Sequence, residues 1–203
     1  MKFYDSPSPN PRVVRMFMAE KGIEIPRVAV DLRGGENRRP AYLALNPAGQ
    51  TPCLELDDGF HLAEVTAICD YLEELYPTPA LIGATPRERA ETRMWTSRIT
   101  LNIAEPMSYG YRYSQGLPMF QSRIHCIPQA ADDLKQIVQE KLAWLDGLIA
   151  GKTFVCGERL TLADIVLYCF LEFGAERGQP INPALTAIVA HHARMKARPS
   201  AAA

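Results

Sequence analysis

The first loop of the chain concentrates polar side chains at a point where a helix is expected to begin. Ser6 and Ser8 carry hydroxyl donors and Asn10 carries an amide donor, just before a helical pattern. Unpaired backbone N–H groups and the helix dipole favour a negative charge at such a position, either an anion or a thiolate. The first cysteine is Cys53, so this loop has no cysteine pair that could exchange a disulfide. A thiol that reacts here is therefore expected to arrive with a ligand.

A second polar stretch leads into a short strand. Leu54 and Leu56 alternate with a polar residue and then meet Asp57-Asp58-Gly59, which predicts a strand closed by a tight hairpin turn. The Thr51–Pro52 bond at the entry of this strand could be cis, because the trans form of an X-Pro bond is favoured by only about 0.5–1 kcal/mol. A cis bond would turn the backbone of Thr51 outward, where it could pair with an extended peptide ligand. The alternative is an ordinary edge strand after a loop.

The start of the next helix offers a third candidate binding position. Glu64 places a carboxylate there, and the backbone N–H groups of Val65 and Thr66 are expected to be unpaired and able to hold a ligand carboxylate. The alternative for Glu64 is a simple helix cap. Arg38, in an earlier polar stretch, is either a solvated side chain or a further partner for a ligand carboxylate.

The order of elements predicts two domains of different class. A strand-helix-strand unit followed by a hairpin and a covering helix indicates an α/β sheet over residues 1–79. Residues 77–86 have the composition of a linker, and residues 87–203 are expected to form an all-helical domain. The expected strands are 2–5, 23–32, 54–56 and 60–62, and the expected helices are 12–21, 40–45, 64–75, 87–107, 129–149, 162–173 and 183–196.

The totals for the whole chain exclude several classes of function. With 203 residues and a net charge of −1, the protein carries no electrostatic footprint for nucleic acid or an anionic membrane. No apolar run approaches the roughly 20 residues of a membrane helix, and the first residues do not form a signal peptide. The five cysteines and four histidines lack metal or disulfide spacing, so we expect no bound metal and a reducing cytoplasm.

Two features of the second half are expected to be structural. Thr161 to Asp164 fits a capping box at the start of an apolar helix, with Asp at the third helical position. His191-His192 is expected to lie on an exposed helix face.

These stretches together resemble the cytosolic glutathione S-transferase family, in which a thioredoxin-like domain precedes a helical domain. The resemblance covers nearly the whole chain in the family's order. Asp5-Ser6-Pro7, Asn10-Pro11-Arg12 and Met18 to Gly22 are similar to the bacterial and fungal branch related to the yeast GTT-two type. The matching stretches are residues 2–22, 35–40, 46–52, 62–72 and 160–164.

The resemblance implies that glutathione binds as a co-substrate and that no metal takes part. Thr51, before a cis Pro52, would pair through its backbone with the cysteinyl part of glutathione. Gln50 matches a position that often reaches the glycyl carboxylate. Arg38 is a further candidate partner for a ligand carboxylate.

The γ-glutamyl end of glutathione would meet Glu64 and Val65, which match an acidic-serine pair of the family. The chain departs from the family pattern here, because Val65 replaces the usual serine. A backbone N–H survives this change, but a hydroxyl hydrogen bond worth about 0.5–1.5 kcal/mol is lost unless Thr66 substitutes.

The group that activates the thiol is left open by the sequence. The Thr-Pro-Asn pattern of nu-like bacterial members favours Ser8 and Asn10, and Ser6 is the remaining hydroxyl of the loop. The yeast-related branch resembles a case in which the helix dipole and a water molecule activate the thiol. If the helix start does most of the activation, Asn10→Ala should lower turnover more than Ser8→Ala.

The electrophile is expected in a cleft between the two domains. Asn102, Tyr109 and Tyr113 of the second domain are the candidate residues. They belong to a stretch rich in Tyr and Met, which would supply an apolar wall with polar tips. The alternative for the same stretch is helix-packing core.

The predicted function is a glutathione transferase that stabilises the glutathione thiolate and adds it to a small hydrophobic electrophile, or uses it to reduce a peroxide or disulfide. The resemblance also implies a cytoplasmic homodimer that takes part in detoxification, and the charge and hydropathy of the chain predict that it binds neither nucleic acid nor membrane. The alternative is a non-catalytic interaction module similar to the stringent starvation proteins. A glutathione-dependent isomerase or dehalogenase would share the first step of the reaction.

Overall fold

Four short strands form a mixed sheet in the first part of the computed structural model, which describes residues 1–203. They are β1 (Lys2–Asp5), β2 (Arg27–Ala29), β3 (Cys53–Glu55) and β4 (His61–Ala63), in the spatial order β2-β1-β3-β4. β1 and β2 are parallel, whereas β3 is antiparallel to both β1 and β4. Three helices belong to the same part: α1 (Pro9–Lys21), α2 (Pro40–Leu43) and α3 (Val65–Leu75). The predicted α/β class is confirmed.

The core of this part lies between the sheet and the apolar faces of α1 and α3. Six apolar side chains of α1 are buried, together with Phe3 and Leu54 of the sheet and Ile68 and Leu72 of α3. α1 ends at Gly22, whose φ of 65° suits glycine at a helix C-terminus. The burial of α1 fixes the position of its N-terminus at the end of β1.

The expected bounds of one strand were wrong, and the alternative of an edge strand after Pro52 is excluded. β2 was expected over residues 23–32 and is limited to Arg27–Ala29, directly after Pro26, which has no N–H to donate to a ladder. β3 is an inner strand that pairs on both sides, so the segment after Pro52 is not an edge strand. Pro52 lies just outside the ladder, where its missing N–H removes no strand pairing.

The second part of the chain is helical, as predicted. Its helices are α4 (Pro86–Ile99), α5 (Glu105–Arg112), α6 (Leu117–Phe120), α7 (Ala131–Ile149), α8 (Leu162–Glu176) and α9 (Thr186–Lys196). α8 is buried along most of its length, and α4 and α9 pack against it. None of the helices combines the length and the apolar character needed to cross a membrane.

The predicted helix over 87–107 is interrupted and continues further than expected. Residues 100–104 form a π-helical segment between α4 and α5, and the N–H of Glu105 donates to the carbonyl of Thr100. Pro106 follows at once and cannot donate to the carbonyl four residues earlier. The wider turn accommodates this missing donor, so the helical path runs on to Arg112.

The capping box at the start of α8 is confirmed and belongs to a buried polar cluster. Asp164 accepts hydrogen bonds from the Thr161 N–H and hydroxyl, both at 2.8 Å, and from the Val155 N–H at 2.7 Å. His191 was expected on an exposed helix face, but its side chain is only 2% exposed and its Nε2 lies 2.9 Å from Asp164 Oδ1. His192, its half-buried neighbour, contacts Glu172 at 2.7 Å.

By its contacts the chain divides into two units, residues 1–81 with 199–203, and residues 82–198. Within the first unit, Lys21 Nζ lies 2.7 Å from Glu73 Oε2 and donates to the carbonyls of Tyr76 and Pro79 at 2.6 Å. The Lys21 and Glu73 side chains are 0% and 5% exposed. This buried ion pair joins the C-terminal ends of α1 and α3.

Candidate active site

The N-terminus of α1 lies directly after β1 and begins earlier than the sequence predicted. Ser8, not Asn10, is the N-cap residue, and Pro9 is the first residue of the helix. Proline suits that position, because its fixed φ is helical and its missing N–H would be unpaired there in any case. The Ser8 hydroxyl accepts no hydrogen bond from the first turn of the helix. It is therefore left free to serve another partner.

The first turn of α1 offers only one backbone donor. Pro9 and Pro11 have no N–H, and the N–H of Arg12 donates to the carbonyl of Ser8 at 3.2 Å. Only the N–H of Asn10 remains, whereas most helices present several free amides at this end. An anion at this helix therefore needs a second donor. Because the amide belongs to the backbone, Asn10→Ala would keep it. We therefore expect Ser8→Ala to lower turnover more than Asn10→Ala, which reverses the order expected from the sequence.

Three hydroxyl groups meet beside this helix start. Ser6 Oγ lies 3.0 Å from Ser8 Oγ and 2.6 Å from Thr51 Oγ1. Ser6 and Thr51 are 4% and 7% exposed, and Ser8 is half-buried. The structure thus brings together residues 45 positions apart in the sequence.

Arg15 holds the backbone of this loop in place. Its Nη1 donates to Asp5 Oδ1 at 2.5 Å and to the carbonyl of Ser6 at 3.2 Å. The same carbonyl accepts the N–H of Ser8 at 2.8 Å. Sequence reasoning missed this role of Arg15, which lies ten residues after Asp5.

The backbone of Thr51 is unpaired at the point where the chain enters β3. The Thr51–Pro52 bond is cis, as the sequence had suggested it could be. Neither the N–H nor the carbonyl of Thr51 takes part in a hydrogen bond within the chain. Both groups therefore remain able to pair with an extended ligand.

The loop before Thr51 is fixed by side chains that the sequence did not single out. The carbonyl of Gln50 accepts from the Tyr42 hydroxyl at 2.7 Å and from Asn46 Nδ2 at 2.8 Å. The carbonyl of Gly49 accepts from the buried Asn37 Nδ2 at 2.6 Å. These bonds leave the Gln50 side chain exposed on a rigid backbone. Arg38 is also exposed, and its guanidinium lies beside Gly49. Its Nη1 is 3.3 Å from the position that a Cβ would occupy on this glycine.

Glu64 adopts a backbone conformation that is rare for residues other than glycine. Its φ is 69° and its ψ is 127°, and no other non-glycine residue of the chain has a positive φ. Such a conformation costs about 1–3 kcal/mol and is concentrated at ligand sites. Glu64 precedes α3, but its exposed carboxylate caps no backbone group of that helix. The simple capping role considered for this residue is therefore excluded.

Val65 and Thr66 form the first turn of α3. No side chain caps this turn, so its backbone N–H groups have no partner within the chain. Val65 is half-buried and Thr66 is exposed. Glu64, Val65 and Thr66 thus present one free carboxylate and free backbone donors within three residues.

Two other reactive groups near the sheet are poorly suited to thiol chemistry. The Tyr4 hydroxyl donates to Glu55 Oε2 at 2.8 Å, and burial together with this carboxylate raises the pKa of Tyr4 to about 12. Burial likewise raises the pKa of the Cys53 thiol to about 11. Tyr4 is occupied as a donor and Cys53 stays protonated at neutral pH.

The candidate electrophile residues lie on one continuous helical stretch of the second unit. The rings of Tyr109 and Tyr113 are 5.5 Å apart between centroids, and the Arg112 guanidinium lies 5.0 Å from the Tyr109 ring. Both tyrosines are half-buried, and burial raises the pKa of Tyr113. Asn102 lies in the π-helical segment and donates through Nδ2 to the carbonyl of Arg98 at 2.9 Å.

Comparison with known proteins identifies the family. Models described as the glutathione S-transferase N-terminal and C-terminal domains match residues 7–75 and 119–199. Glutathione S-transferase 2 of Saccharomyces cerevisiae is 33% identical over 208 residues, covering 98% of this chain and 87% of that protein. Maleylacetoacetate isomerase of Pseudomonas aeruginosa is 36% identical over 166 residues, covering 81% and 76%.

A crystal structure of Gtt2 from Saccharomyces cerevisiae matches the fold with a TM-score of 0.92 and 32% identity, covering 98% of each chain. These matches confirm the thioredoxin-like first part, the helical second part and the resemblance to the yeast branch. The chain therefore belongs to the glutathione S-transferase family.

Proposed function

We propose that the protein is a glutathione transferase that holds glutathione as a thiolate and adds its sulfur to a small hydrophobic electrophile. The observation that carries this proposal is the unpaired backbone of Thr51, a residue whose own hydroxyl belongs to the cluster beside the start of α1. A peptide that paired with Thr51 would bring a thiol toward Ser8. In this proposal residues 1–79 bind glutathione and residues 87–203 supply the electrophile side.

Each end of glutathione has a matching group in the first unit. The cysteinyl backbone pairs with the N–H and carbonyl of Thr51, next to Pro52. The glycyl carboxylate is held by Gln50 and by the guanidinium of Arg38, which is exposed nearby. At the γ-glutamyl end, the Glu64 carboxylate binds the ammonium group, and the free N–H groups at Val65 and Thr66 bind the carboxylate.

The thiolate is stabilised by two donors and the dipole of α1. The Ser8 hydroxyl and the Asn10 N–H donate to the sulfur, and the thiol proton leaves to solvent. Lowering the thiol pKa by two units from about 8.5 requires about 2.7 kcal/mol. A helix N-terminus contributes about 0.5–2 kcal/mol and a hydrogen bond to a charged group about 1.5–3 kcal/mol, so no general base is needed.

The sulfur then forms a bond to an electrophilic carbon of the acceptor. In a substitution, the leaving group departs with its bonding electron pair. In an addition to a carbon–carbon double bond, the electron pair of that bond takes up a proton from solvent. Tyr109, Tyr113 and Asn102 are proposed to contact the acceptor. The same thiolate could reduce a peroxide or a disulfide, and we propose that the enzyme acts as a cytoplasmic homodimer with a role in detoxification.

A glutathione-dependent isomerase is a second candidate, because the relative from Pseudomonas aeruginosa is a maleylacetoacetate isomerase. The two functions share the thiolate and differ in what happens after the sulfur adds. Glutathione-dependent isomerisation of maleylacetoacetate, without a stable conjugate, would favour this second function.

Thermal unfolding with and without glutathione tests the proposal. At a ligand concentration of ten times Kd, glutathione should stabilise the protein by about 1.4 kcal/mol, and a model aryl halide should be conjugated.

Val65→Ser should tighten glutathione binding about 2- to 10-fold, because it restores a hydroxyl donor to the γ-glutamyl end. Val65→Ala is the matched control and should bind like the wild type.

No stabilisation at millimolar glutathione and no conjugation would contradict the proposed function. A stoichiometric macromolecular partner under those conditions would support the non-catalytic alternative. Equal affinities of the Ser and Ala variants would contradict the γ-glutamyl position assigned to Val65.

Glu64→Gly should separate stability from binding. Glycine adopts a φ of 69° without strain, so the unliganded variant should be about 1 kcal/mol more stable after the entropic cost of glycine. It should bind glutathione at least tenfold more weakly, because the carboxylate is gone. Glu64→Gln keeps the side-chain length and the strain, so it should lose affinity without gaining stability. Equal stability of the Gly and Gln variants in chemical denaturation would contradict the strain at this residue.

A further inference from the structure

The hydroxyl groups of Thr51, Ser6 and Ser8 form a continuous chain with two different ends. The Thr51 end is buried, and no acceptor other than Ser6 lies within hydrogen-bond distance of Thr51 Oγ1. The Ser8 end is half-buried and opens at the start of α1. Two hydrogen bonds join three hydroxyl groups, so two protons are used within the chain and one is left over.

Burial decides which hydroxyl keeps the spare proton. If Ser8 donated to Ser6 and Ser6 to Thr51, the Thr51 proton would be buried without an acceptor. If Ser8 and Thr51 both donated to Ser6, the Ser6 proton would be buried without one. A buried, unsatisfied polar group carries a substantial desolvation penalty. Only the order Thr51 to Ser6 to Ser8 leaves the spare proton at the half-buried end.

We propose that Ser6 and Thr51 are positioning residues that direct the Ser8 hydroxyl proton toward the sulfur of bound glutathione. This inference rests on the proposed function, since glutathione supplies the thiolate. Because the Ser6 hydroxyl donates to Ser8 Oγ, the Ser8 hydroxyl cannot donate back to Ser6 and its proton points away from the buried residues. Each hydrogen bond of the chain also polarises the next one. The chain of hydroxyl groups thereby replaces the backbone N–H donors that this helix start lacks because of Pro9 and Pro11.

Thr51 acquires two separate roles in this scheme. Its backbone docks the cysteinyl part of glutathione, and its hydroxyl begins the chain that ends at the sulfur. The two roles predict different behaviour on substitution, because a side-chain change removes the hydroxyl and keeps the backbone groups. Loss of the hydroxyl should therefore change the thiol pKa more than it changes glutathione affinity measured at acidic pH.

The pKa of enzyme-bound glutathione, followed by the ultraviolet absorbance of the thiolate, tests the inference. Ser6→Ala and Thr51→Val should each raise this pKa by about half a unit to one unit. Thr51→Ser keeps the hydroxyl and should retain the wild-type value. In a Ser8→Ala background, Ser6→Ala should add no further shift, because its effect passes through Ser8.

The possible outcomes separate this inference from the proposed function. Absence of glutathione binding by the wild type would overturn both. A wild type that lowers the thiol pKa, with unchanged values in Ser6→Ala and Thr51→Val, would overturn the inference alone. An equal shift with and without Ser8 would also overturn it. If Ser6→Ala fails to fold, the Thr51→Val and Thr51→Ser pair decides the question.

Discussion

Asp164→Ala is expected to reduce the free energy of unfolding by about 3–5 kcal/mol, the largest effect of any single substitution discussed for the second unit. The Asp164 side chain is 0% exposed, and its two oxygens accept from two backbone N–H groups, one hydroxyl and one imidazole. Alanine would leave these groups buried without an acceptor. His191 would lose its only partner, since its Nδ1 already has none.

Denaturant unfolding monitored by circular dichroism would measure this loss. Asp132→Ala is the matched control, because the Asp132 side chain is 96% exposed and a surface change of this kind has an effect of at most about 0.5 kcal/mol. His191→Phe should be milder than Asp164→Ala, since it removes one bond and leaves the capping box intact. A loss below about 1 kcal/mol in Asp164→Ala would show that the cluster is not a stabilising feature.

Lys21→Met should destabilise the protein by a similar amount, about 3–5 kcal/mol, because it removes one partner of a buried ion pair. The substitution would leave the Glu73 carboxylate, 5% exposed, beside two carbonyls that have lost their donor. The double variant Lys21→Met/Glu73→Leu should recover only part of the loss. It removes the buried carboxylate together with the ammonium group, but the Leu81 N–H, which donates to Glu73 Oε2 at 3.3 Å, then loses its acceptor.

Lys2→Met is the control for Lys21→Met. Lys2 also pairs with a glutamate, Glu55 at 2.9 Å, but its side chain is 55% exposed. A surface pair of this kind contributes about 0–1 kcal/mol. If Lys2→Met and Lys21→Met destabilised the protein equally, burial would not be the cause of the Lys21 effect.

Local sequence patterns predicted the elements whose signals lie within a few residues. The Asp57-Asp58-Gly59 turn and the Thr161 to Asp164 capping box depend on neighbours in sequence and are present in the structure. The shortened β2 and the interrupted helix around residue 104 depend on Pro26 and Pro106, which lack the N–H that a strand ladder or a helix requires. The periodicity of apolar residues indicates that a helix or strand is present. It is less informative about the residue at which a proline, which has no N–H to donate, ends that helix or strand.

Contacts between distant residues were beyond sequence reasoning. His191 lies 27 residues from Asp164, and its position in a helical pattern gave no sign that this face is buried. Similarly, Ser6 and Thr51 were singled out separately, and only the pairing of β1 with β3 brings their hydroxyls to 2.6 Å. The residues of the candidate site could therefore be predicted from the sequence, whereas the hydrogen bond that joins Ser6 to Thr51 could not.

The first unit is built from two separate pieces of chain, residues 1–81 and 199–203. The Arg12 guanidinium on α1 donates to the carbonyl of Ala201 at 3.0 Å, and Ser200 contacts Glu20. During synthesis these two contacts cannot form until the ribosome has made residues 199–203. The helix that presents Ser8 therefore gains them only after every helix of the second unit has been translated.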